Sequence, residues 1–161
     1  MRNTVIALVL GALVLPLTAQ AATPASREAV QAEVTQQLKR YEAALNASDV
    51  DQVMTLYAKD AVFMPQHSQP VVGRDAVRAA YCRIFGQIKL DIGFTVDEIQ
   101  PLAPDWAFAR TRSQGTVKVL AGNQQARPEG NQEVFLLHRE SDGQWRFARY
   151  IFSTTQPPAA P

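Results

Sequence analysis

The sequence predicts an α+β fold in a single domain. Three segments with helical spacing of apolar residues come first, and four long segments rich in β-branched and aromatic residues follow. Helices followed by strands are typical of proteins whose helices cover one face of a sheet. A chain of 161 residues that is 47% hydrophobic can bury one ordinary core. We therefore expect three N-terminal helices packed on a curved, mostly antiparallel sheet, forming a cone with an internal pocket.

Residues 1–21 are predicted to be a secretory signal peptide and take no part in the fold. Arg2 precedes an uncharged apolar stretch that ends at Leu17, and the small residues Ala19 and Ala21 fit a cleavage site. The stretch is shorter than the roughly 20 residues that a spanning helix needs. We expect an exported protein, periplasmic or secreted, without stable membrane insertion after cleavage. The single domain then spans 22–155, and a flexible proline-rich tail spans 156–161.

Composition argues against several other classes of function. The 16 Lys and Arg residues nearly balance the 15 Asp and Glu residues, so no basic field is available to gather nucleic acid. Cys82 is the single cysteine and is expected to be a packing residue. The sequence contains no metal-binding spacing of His and Cys and no phosphate-binding glycine motif. We therefore predict neither a metal nor a cofactor.

The helices are predicted from apolar residues spaced three and four apart. The first helix, over 26–46, places such residues on one face: Val30, Val34, Leu38, Tyr41 and Leu45. A second, short helix begins at Ser48, continues through Tyr57 and ends at Lys59-Asp60. The third helix spans about 75–87.

The remaining elements are predicted to be strands. A brief strand over 61–64 stops at Pro65, where a loop containing His67 begins. Later strands over 90–100, 106–120, 131–139 and 144–153 are separated by turn signals rich in Pro, Gly, Asn and Asp. These four strands are expected to form one antiparallel meander.

The last hairpin predicts which side chains share one face of the sheet. A two-residue turn at Asp142-Gly143 would pair Phe135 with Tyr150 and Glu133 with Phe152. The opposite face would carry an apolar patch, through which we expect a homodimer to form: Val134, Leu136, Trp145, Phe147 and Ile151. A turn with an odd number of residues would exchange the two faces.

Several stretches carry a family resemblance: 40–51 (RYEAALNASDVD), 56–63 (LYAKDAVF), 73–77 (GRDAV), and 131–137 with 143–152 in the last hairpin. Together they resemble the nuclear transport factor 2-like (NTF2-like) superfamily, and within it SnoaL-like and DUF4440-type proteins. The resemblance covers about 26–155 and implies the cone fold. It does not imply one chemistry, because this superfamily includes isomerases, cyclases, dehydratases and non-catalytic binders.

A more distant resemblance to steroid Δ-isomerases allows a test of individual positions. Those enzymes use a tyrosine donor, a carboxylate base and a protonated aspartate. Tyr41 falls on the position of the tyrosine. The base falls on Met64 or Pro65, and the aspartate falls on Phe135. Because two of the three roles are missing, the usual isomerase mechanism is not expected.

Three residues are candidate catalytic groups: Tyr41 as a hydrogen-bond donor, and His67 and Glu133 as acid or base. The candidate ligand-binding residues are Arg110, Arg112, Asn131, Phe63, Phe85, Phe108, Phe135, Tyr150 and Phe152. Strand alternation places Arg110 and Arg112 on the face of Phe108, and a buried guanidinium beside Glu133 would hold a ligand anion. The alternative is that these arginines only form a structural ion pair and that His67 is solvated.

Two classes of function therefore stay open. In the first, the pocket binds a small apolar ligand with one polar or anionic end, with or without cofactor-free acid–base chemistry of the isomerase, cyclase or dehydratase type. In the second, the chain is a non-catalytic ligand-binding or dimerisation and assembly module. An open pocket that reaches both Tyr41 and Glu133 would favour the first class. A cone filled by Phe108, Phe135 and Phe152 would favour a structural role.

Overall fold

A computed structural model describes residues 26–122 and 124–157 of the chain. Its elements are α1 (Arg27–Ala47), α2 (Val50–Thr55), β1 (Tyr57–Met64), β2 (Val71–Val72), α3 (Arg74–Gln87), β3 (Ile88–Ala103), β4 (Trp106–Val119), β5 (Arg127–Arg139) and β6 (Trp145–Thr154). The predicted signal peptide and most of the predicted tail lie outside the described residues. Within those residues, no helix is both long and apolar enough to cross a membrane.

The six strands form one mixed sheet in the order β2-β1-β6-β5-β4-β3. Neighbouring strands are antiparallel, except that β1 runs parallel to β6. The core lies between this sheet and the helices, and α1 packs mainly across β3. The architecture is α+β, and the long strands β3 to β6 supply one wall of an internal cavity.

Helix α1 buries the face that its sequence predicts. The Ser26 hydroxyl accepts a hydrogen bond from the Ala29 amide at 3.2 Å and caps the first turn. At the other end, Ser48 adopts a left-handed conformation with φ 55°, which stops the helix. The buried side chains of this helix include all five of the predicted apolar stripe: Val30, Val34, Leu38, Tyr41 and Leu45.

The second helix is shorter than predicted, because the sheet takes over its last residues. Helix α2 ends at Thr55, and β1 begins at Tyr57. Tyr57 pairs with Phe147 of β6 and is completely buried, so strand pairing overrides the local helical spacing. The prediction that the helix runs to Lys59-Asp60 is therefore wrong. The two-residue strand β2, which pairs with β1, was not predicted.

The turn between β5 and β6 has three residues, 141–143, and not the predicted two. Arg139 pairs with Trp145, and the Glu140 amide donates to the Gln144 carbonyl oxygen at 3.0 Å. An odd turn exchanges the faces of a hairpin, but a β-bulge at Ala148 restores the original register. Beyond this bulge Phe135 pairs with Tyr150 and Glu133 with Phe152, as predicted.

The turn and the bulge correct the predicted outer patch. Between them, Trp145 and Phe147 point inward and are only 4% and 0% exposed. The Trp145 indole N–H donates to the Glu33 carboxylate at 2.8 Å and joins β6 to α1. Val134 and Ile151, which lie beyond the bulge, remain exposed at 37% and 46%. The five-residue patch therefore does not exist as predicted.

Strands β3 and β4 approach too closely at Gly115 for a side chain to fit. A Cβ atom there would lie 2.1 Å from the backbone oxygen of Asp91. Gly93, in the same pair of strands, has no heavy atom within 4 Å of a Cβ position. The two glycines thus differ in packing although they belong to one hairpin.

We expect Gly115→Ala to lower the free energy of unfolding by about 1–3 kcal/mol, since the two strands must separate to admit the methyl group. Gly93→Ala is the matched control and should change stability by less than about 0.5 kcal/mol. Urea denaturation of both variants measures the difference. Equal stabilities would show that β3 and β4 do not depend on this close approach.

Candidate functional site

A cavity of about 590 Å³ opens between α1, α3 and the concave face of the sheet. Its wall combines aromatic and aliphatic side chains, and a polar strip from β4 and β5 crosses it. The aromatic members are Tyr41, Phe63, Tyr81, Phe94, Tyr150 and Phe152. The polar members of this strip are Ser113, Asn131, Glu133, Glu129 and Arg127. Tyr41 and Glu133 thus line one open cavity.

Glu133 is the central polar group of this cavity. Its side chain is only 2% exposed. The Ser113 hydroxyl donates to one carboxyl oxygen at 2.6 Å, and the Thr111 hydroxyl donates to the other. No ion pair to Glu133 exists among the described residues. Burial therefore raises the pKa of this carboxyl above its ordinary value of 4.5, and the two hydroxyl hydrogen bonds offset only part of the rise.

The alternation of β4 supplies both hydroxyls. Its inward positions between 107 and 113 carry only small side chains: Ala107, Ala109, Thr111 and Ser113. Thr111 lies directly opposite Glu133 on β5, and Ser113 lies opposite Asn131. Small residues leave room for the cavity, while the two hydroxyls satisfy a carboxyl that has no cation.

Asn131 extends the polar strip toward the cavity mouth. Its amide nitrogen donates to the Ser113 hydroxyl at 3.4 Å and to the Glu129 carboxylate at 3.1 Å. Because the Ser113 hydroxyl already donates to Glu133, it can only accept from Asn131, which fixes the orientation of the amide. The Asn131 amide oxygen is buried and has no hydrogen-bond partner among the described residues.

Three tyrosine hydroxyls form a chain at the deep end of the cavity. The Tyr57 and Tyr81 hydroxyls are 2.8 Å apart, and a short hydrogen bond joins the Tyr81 and Tyr41 hydroxyls. Three hydroxyls carry three protons, but two hydrogen bonds use only two of them. In the arrangement where Tyr57 donates to Tyr81 and Tyr81 donates to Tyr41, the remaining proton lies on Tyr41, which lines the cavity. Burial raises the pKa of Tyr41, so its hydroxyl stays protonated and can donate.

Stacked rings form the support beneath these hydroxyls. Phe135 lies against Tyr150 with ring centroids 4.3 Å apart, and Tyr150 stacks on Phe63 at 5.5 Å. Phe135 is completely buried behind Tyr150 and does not line the cavity. Phe85 packs on Tyr81 at 5.5 Å and supports the wall from outside.

The predicted placement of Arg110, Arg112 and Phe108 in the cavity is wrong. They alternate with the inward residues of β4 and therefore lie on the outer face of the sheet. Both arginines bind Asp97 there, at 2.9 and 2.8 Å, and hydrogen bonding from Arg112 lowers the pKa of Asp97. The prediction placed the arginines on the cavity face because they could pair with the negative charge of Glu133. The strand register instead places Thr111 opposite Glu133, so the arginines on either side of Thr111 point to the outer face.

His67 lies apart from the other candidate catalytic residues. It is exposed, has φ 56°, and sits in the loop after β1. It borders a shallower groove formed with Phe152 and Ile151, and it is absent from the lining of the main cavity. Its loop neighbours Gln66 and Ser68 line the main cavity instead.

Comparison with known proteins places this geometry in a family. The SnoaL-like domain family matches residues 38–154. The chain belongs to the SnoaL-like family. A ketosteroid isomerase-like protein from Erwinia carotovora atroseptica is 30% identical, with a TM-score of 0.75, over 78% of this chain and 96% of that one.

Two further solved structures share the fold of this SnoaL-like domain. An NTF2-like superfamily protein from Salmonella enterica serovar Typhimurium is 16% identical over 82% of this chain and 95% of its own, with a TM-score of 0.71. A scytalone dehydratase-like protein from Novosphingobium aromaticivorans is 16% identical over 78% of this chain and 84% of its own, with a TM-score of 0.68. The NTF2-like fold inferred from the sequence is thereby confirmed.

The buried carboxyl of this SnoaL-like domain, Glu133, does not lie at either position where the steroid isomerases have a carboxyl group. Phe135, on the position of the aspartate donor, lies behind the cavity wall, whereas Glu133 is two residues nearer the mouth on the same face. Sequence reasoning missed Tyr81, Thr111 and Ser113, which it treated as helix packing or as outward strand residues. Among the described residues, no group of three or more His, Cys, Asp or Glu side chains could hold a metal ion.

The raised pKa of Glu133 predicts a pH dependence of stability. The folded protein holds this proton more tightly than the unfolded chain, so the stabilisation is complete below pH 4.5 and is lost as pH rises through the raised pKa. Glu133→Gln removes this dependence. We expect the free energy of unfolding of the native protein, relative to the variant, to fall by ~1.4 kcal/mol for each unit of pKa elevation.

Urea denaturation of the native protein and Glu133→Gln between pH 4 and 8 measures this difference. A difference in stability that stays constant over the range, or that grows with pH, would contradict the assignment of Glu133 as an unpaired buried carboxyl.

Proposed function

We propose that this protein binds a small apolar molecule carrying a carbonyl group and catalyses cofactor-free proton transfer on it. The observation that carries the proposal is the Glu133 carboxyl: it is buried, has no cation partner among the described residues, and lines the same cavity as the donor hydroxyl of Tyr41. Buried acids with raised pKa values beside hydrogen-bond donors are characteristic of acid–base sites.

The aromatic wall suits an apolar ligand body. Tyr150, Phe63 and Phe152 line the cavity as a stack of rings, with neighbouring centroids 5.5 to 5.7 Å apart. A flat ligand can lie against these rings and bury its apolar surface, as is usual in small-molecule sites. The ligand oxygen would then be placed at Tyr41, the cavity-facing end of the hydroxyl chain.

The proton transfer uses Glu133 as the base. Its carboxylate removes a proton from the carbon next to the ligand carbonyl, and the electron pair of that C–H bond moves into an enolate whose charge lies on the oxygen. The Tyr41 hydroxyl donates a hydrogen bond to this oxygen, with Tyr81 and Tyr57 supporting it. Returning the proton to a different carbon completes an isomerisation, and expulsion of a β-hydroxyl as water completes a dehydration.

The local chemistry of Glu133 fits this role. A general base works best when its pKa lies near the working pH, and burial shifts the pKa of Glu133 in that direction. Hydrogen bonds from Ser113 and Thr111 hold the carboxyl in place in both protonation states. The names of the isomerase-like and dehydratase-like structures are consistent with such chemistry.

A non-catalytic binding module is the second candidate function. The observation that favours it is that both Glu133 oxygens already accept internal hydroxyl hydrogen bonds, as a purely structural carboxyl would. In that case the cavity retains a ligand without changing it.

Export and self-association also belong to the proposal. The apolar leader at 1–21 supports export to the periplasm or the medium. A homodimer through the outer face would now use Val134, Leu136 and Ile151, because Trp145 and Phe147 lie in the core. Val134 and Ile151 are cross-strand partners and form a small apolar surface between them.

We expect the protein to accelerate exchange of the α-protons of 2-tetralone with D₂O, followed by proton NMR. Glu133→Gln should reduce the enzymatic rate by about 100-fold or more, since it removes the general base. Glu98→Gln is the matched control, because Glu98 is a β3 carboxylate that pairs with Arg110 outside the cavity. It should leave the exchange rate unchanged.

Two results would decide between the candidate functions. Loss of exchange in Glu133→Gln, with folding intact by circular dichroism, supports the acid–base site. Absence of exchange above the buffer rate in the native protein, together with destabilisation by Glu133→Gln, would contradict catalysis of this kind and favour the binding module.

A further inference from the structure

Charged residues of β5 line the outer part of the cavity, and the proposed function assigns them no role. From Glu133 toward the start of this strand, every second residue lines the cavity, in the order Glu133, Asn131, Glu129 and Arg127. The cross-strand partner of Arg127 is Val117, which is buried and lines the same cavity. Arg127 therefore lies on the inner face, six residues or about 20 Å of strand from Glu133, at the cavity mouth.

A second arginine lines the same cavity from helix α3. Arg83 lies on α3 between Ala80 and Ile84, and all three line the cavity. Arg83 and Arg127 are exposed, and neither forms an ion pair within 26–122 and 124–157. Glu129 supplies one negative charge at the mouth, but its carboxylate accepts a hydrogen bond from Asn131. The mouth thus keeps a net positive charge.

The two arginines on the outer face of the sheet, Arg110 and Arg112, differ from Arg83 and Arg127 in having a carboxylate partner. Arg110 and Arg112 are also exposed, with 48% and 51% of their side chains accessible. Both nevertheless form ion pairs with Asp97. Arg83 and Arg127 line the cavity and have no such partner in the part of the chain that the structure describes. A guanidinium presents a planar pair of N–H donors that matches a carboxylate.

We propose that Arg83 and Arg127 bind a carboxylate on the outer end of the ligand, so that the natural ligand is an elongated apolar acid with an oxygen function at its inner end. This inference rests on the proposed function, which places the oxygen function at Tyr41 and Glu133. The aromatic wall contacts the body of the ligand between its two polar ends. The arginines thereby determine which ligands enter and in which direction.

The test compares two ligands that differ only at the outer end: 4′-hydroxybiphenyl-4-carboxylate and its neutral carboxamide. Isothermal titration calorimetry at low salt measures the affinity of each for the mature protein. We expect the native protein to bind the carboxylate about fivefold or more tightly than the carboxamide, because two exposed ion pairs form. Added NaCl should reduce this preference.

Two double variants distinguish an effect of the arginines at the cavity mouth from an effect of the protein's overall charge. Arg83→Gln combined with Arg127→Gln should abolish the preference for the carboxylate and leave carboxamide binding unchanged. Arg110→Gln combined with Arg112→Gln removes the same number of positive charges from the outer face and should keep the preference. Glu129→Gln should increase the preference, because it removes the one negative charge at the mouth.

The outcomes distinguish this inference from the proposed function. Equal affinity of the native protein for both ligands, with both weakened by Glu133→Gln, would overturn the role of the arginines and leave the inner site standing. Retention of the preference by the Arg83 and Arg127 double variant would likewise overturn it. Failure of both ligands to bind would overturn both proposals.

Discussion

Burial of the Glu133 carboxyl without a cation is the interaction around which the cavity is organised. A carboxyl in such a position costs free energy unless its oxygens are hydrogen-bonded. Thr111 and Ser113 meet that need with hydroxyls, which donate without introducing a charge. An arginine in their place would hold the carboxyl ionised and consume it in an ion pair. Hydroxyl partners leave the carboxyl able to exchange its proton with a ligand.

Strand register makes this arrangement possible. The continuous register of β4 and β5 places Glu133 opposite Thr111 on the cavity side. The bulge at Ala148 brings Phe152 to the same side, because it compensates for the three-residue turn of the last hairpin. Without the bulge, Glu133 and Phe152 would no longer face each other across β5 and β6. The same bulge turns Trp145 and Phe147 inward, where they join the core and the contact to α1. One irregularity therefore decides both the composition of the site and the composition of the outer face.

Sequence reasoning predicted the elements with regular patterns and failed where tertiary pairing decided the outcome. The predicted pairing of Phe135 with Tyr150 holds because the bulge at Ala148 offsets the wrong turn length. The apolar stripe of α1 was accessible from spacing alone. The end of α2 was not, because only the pairing of Tyr57 with Phe147 shows that this residue begins a strand. Arg110 and Arg112 were misplaced because alternation defines two faces without telling which is inside. The small inward residues of β4 were the signal that could have identified the inner face.

The most direct test of the account is a titration of the Glu133 carboxyl itself. Carbon-13 NMR of protein labelled at glutamate side-chain carboxyls, with Glu133→Gln identifying the resonance, gives its pKa without reference to stability or activity. The account predicts a midpoint above the ordinary value of 4.5. A midpoint at or below that value would show that Glu133 is held as an ion, and the proposal of a proton-exchanging base at the cavity would be contradicted.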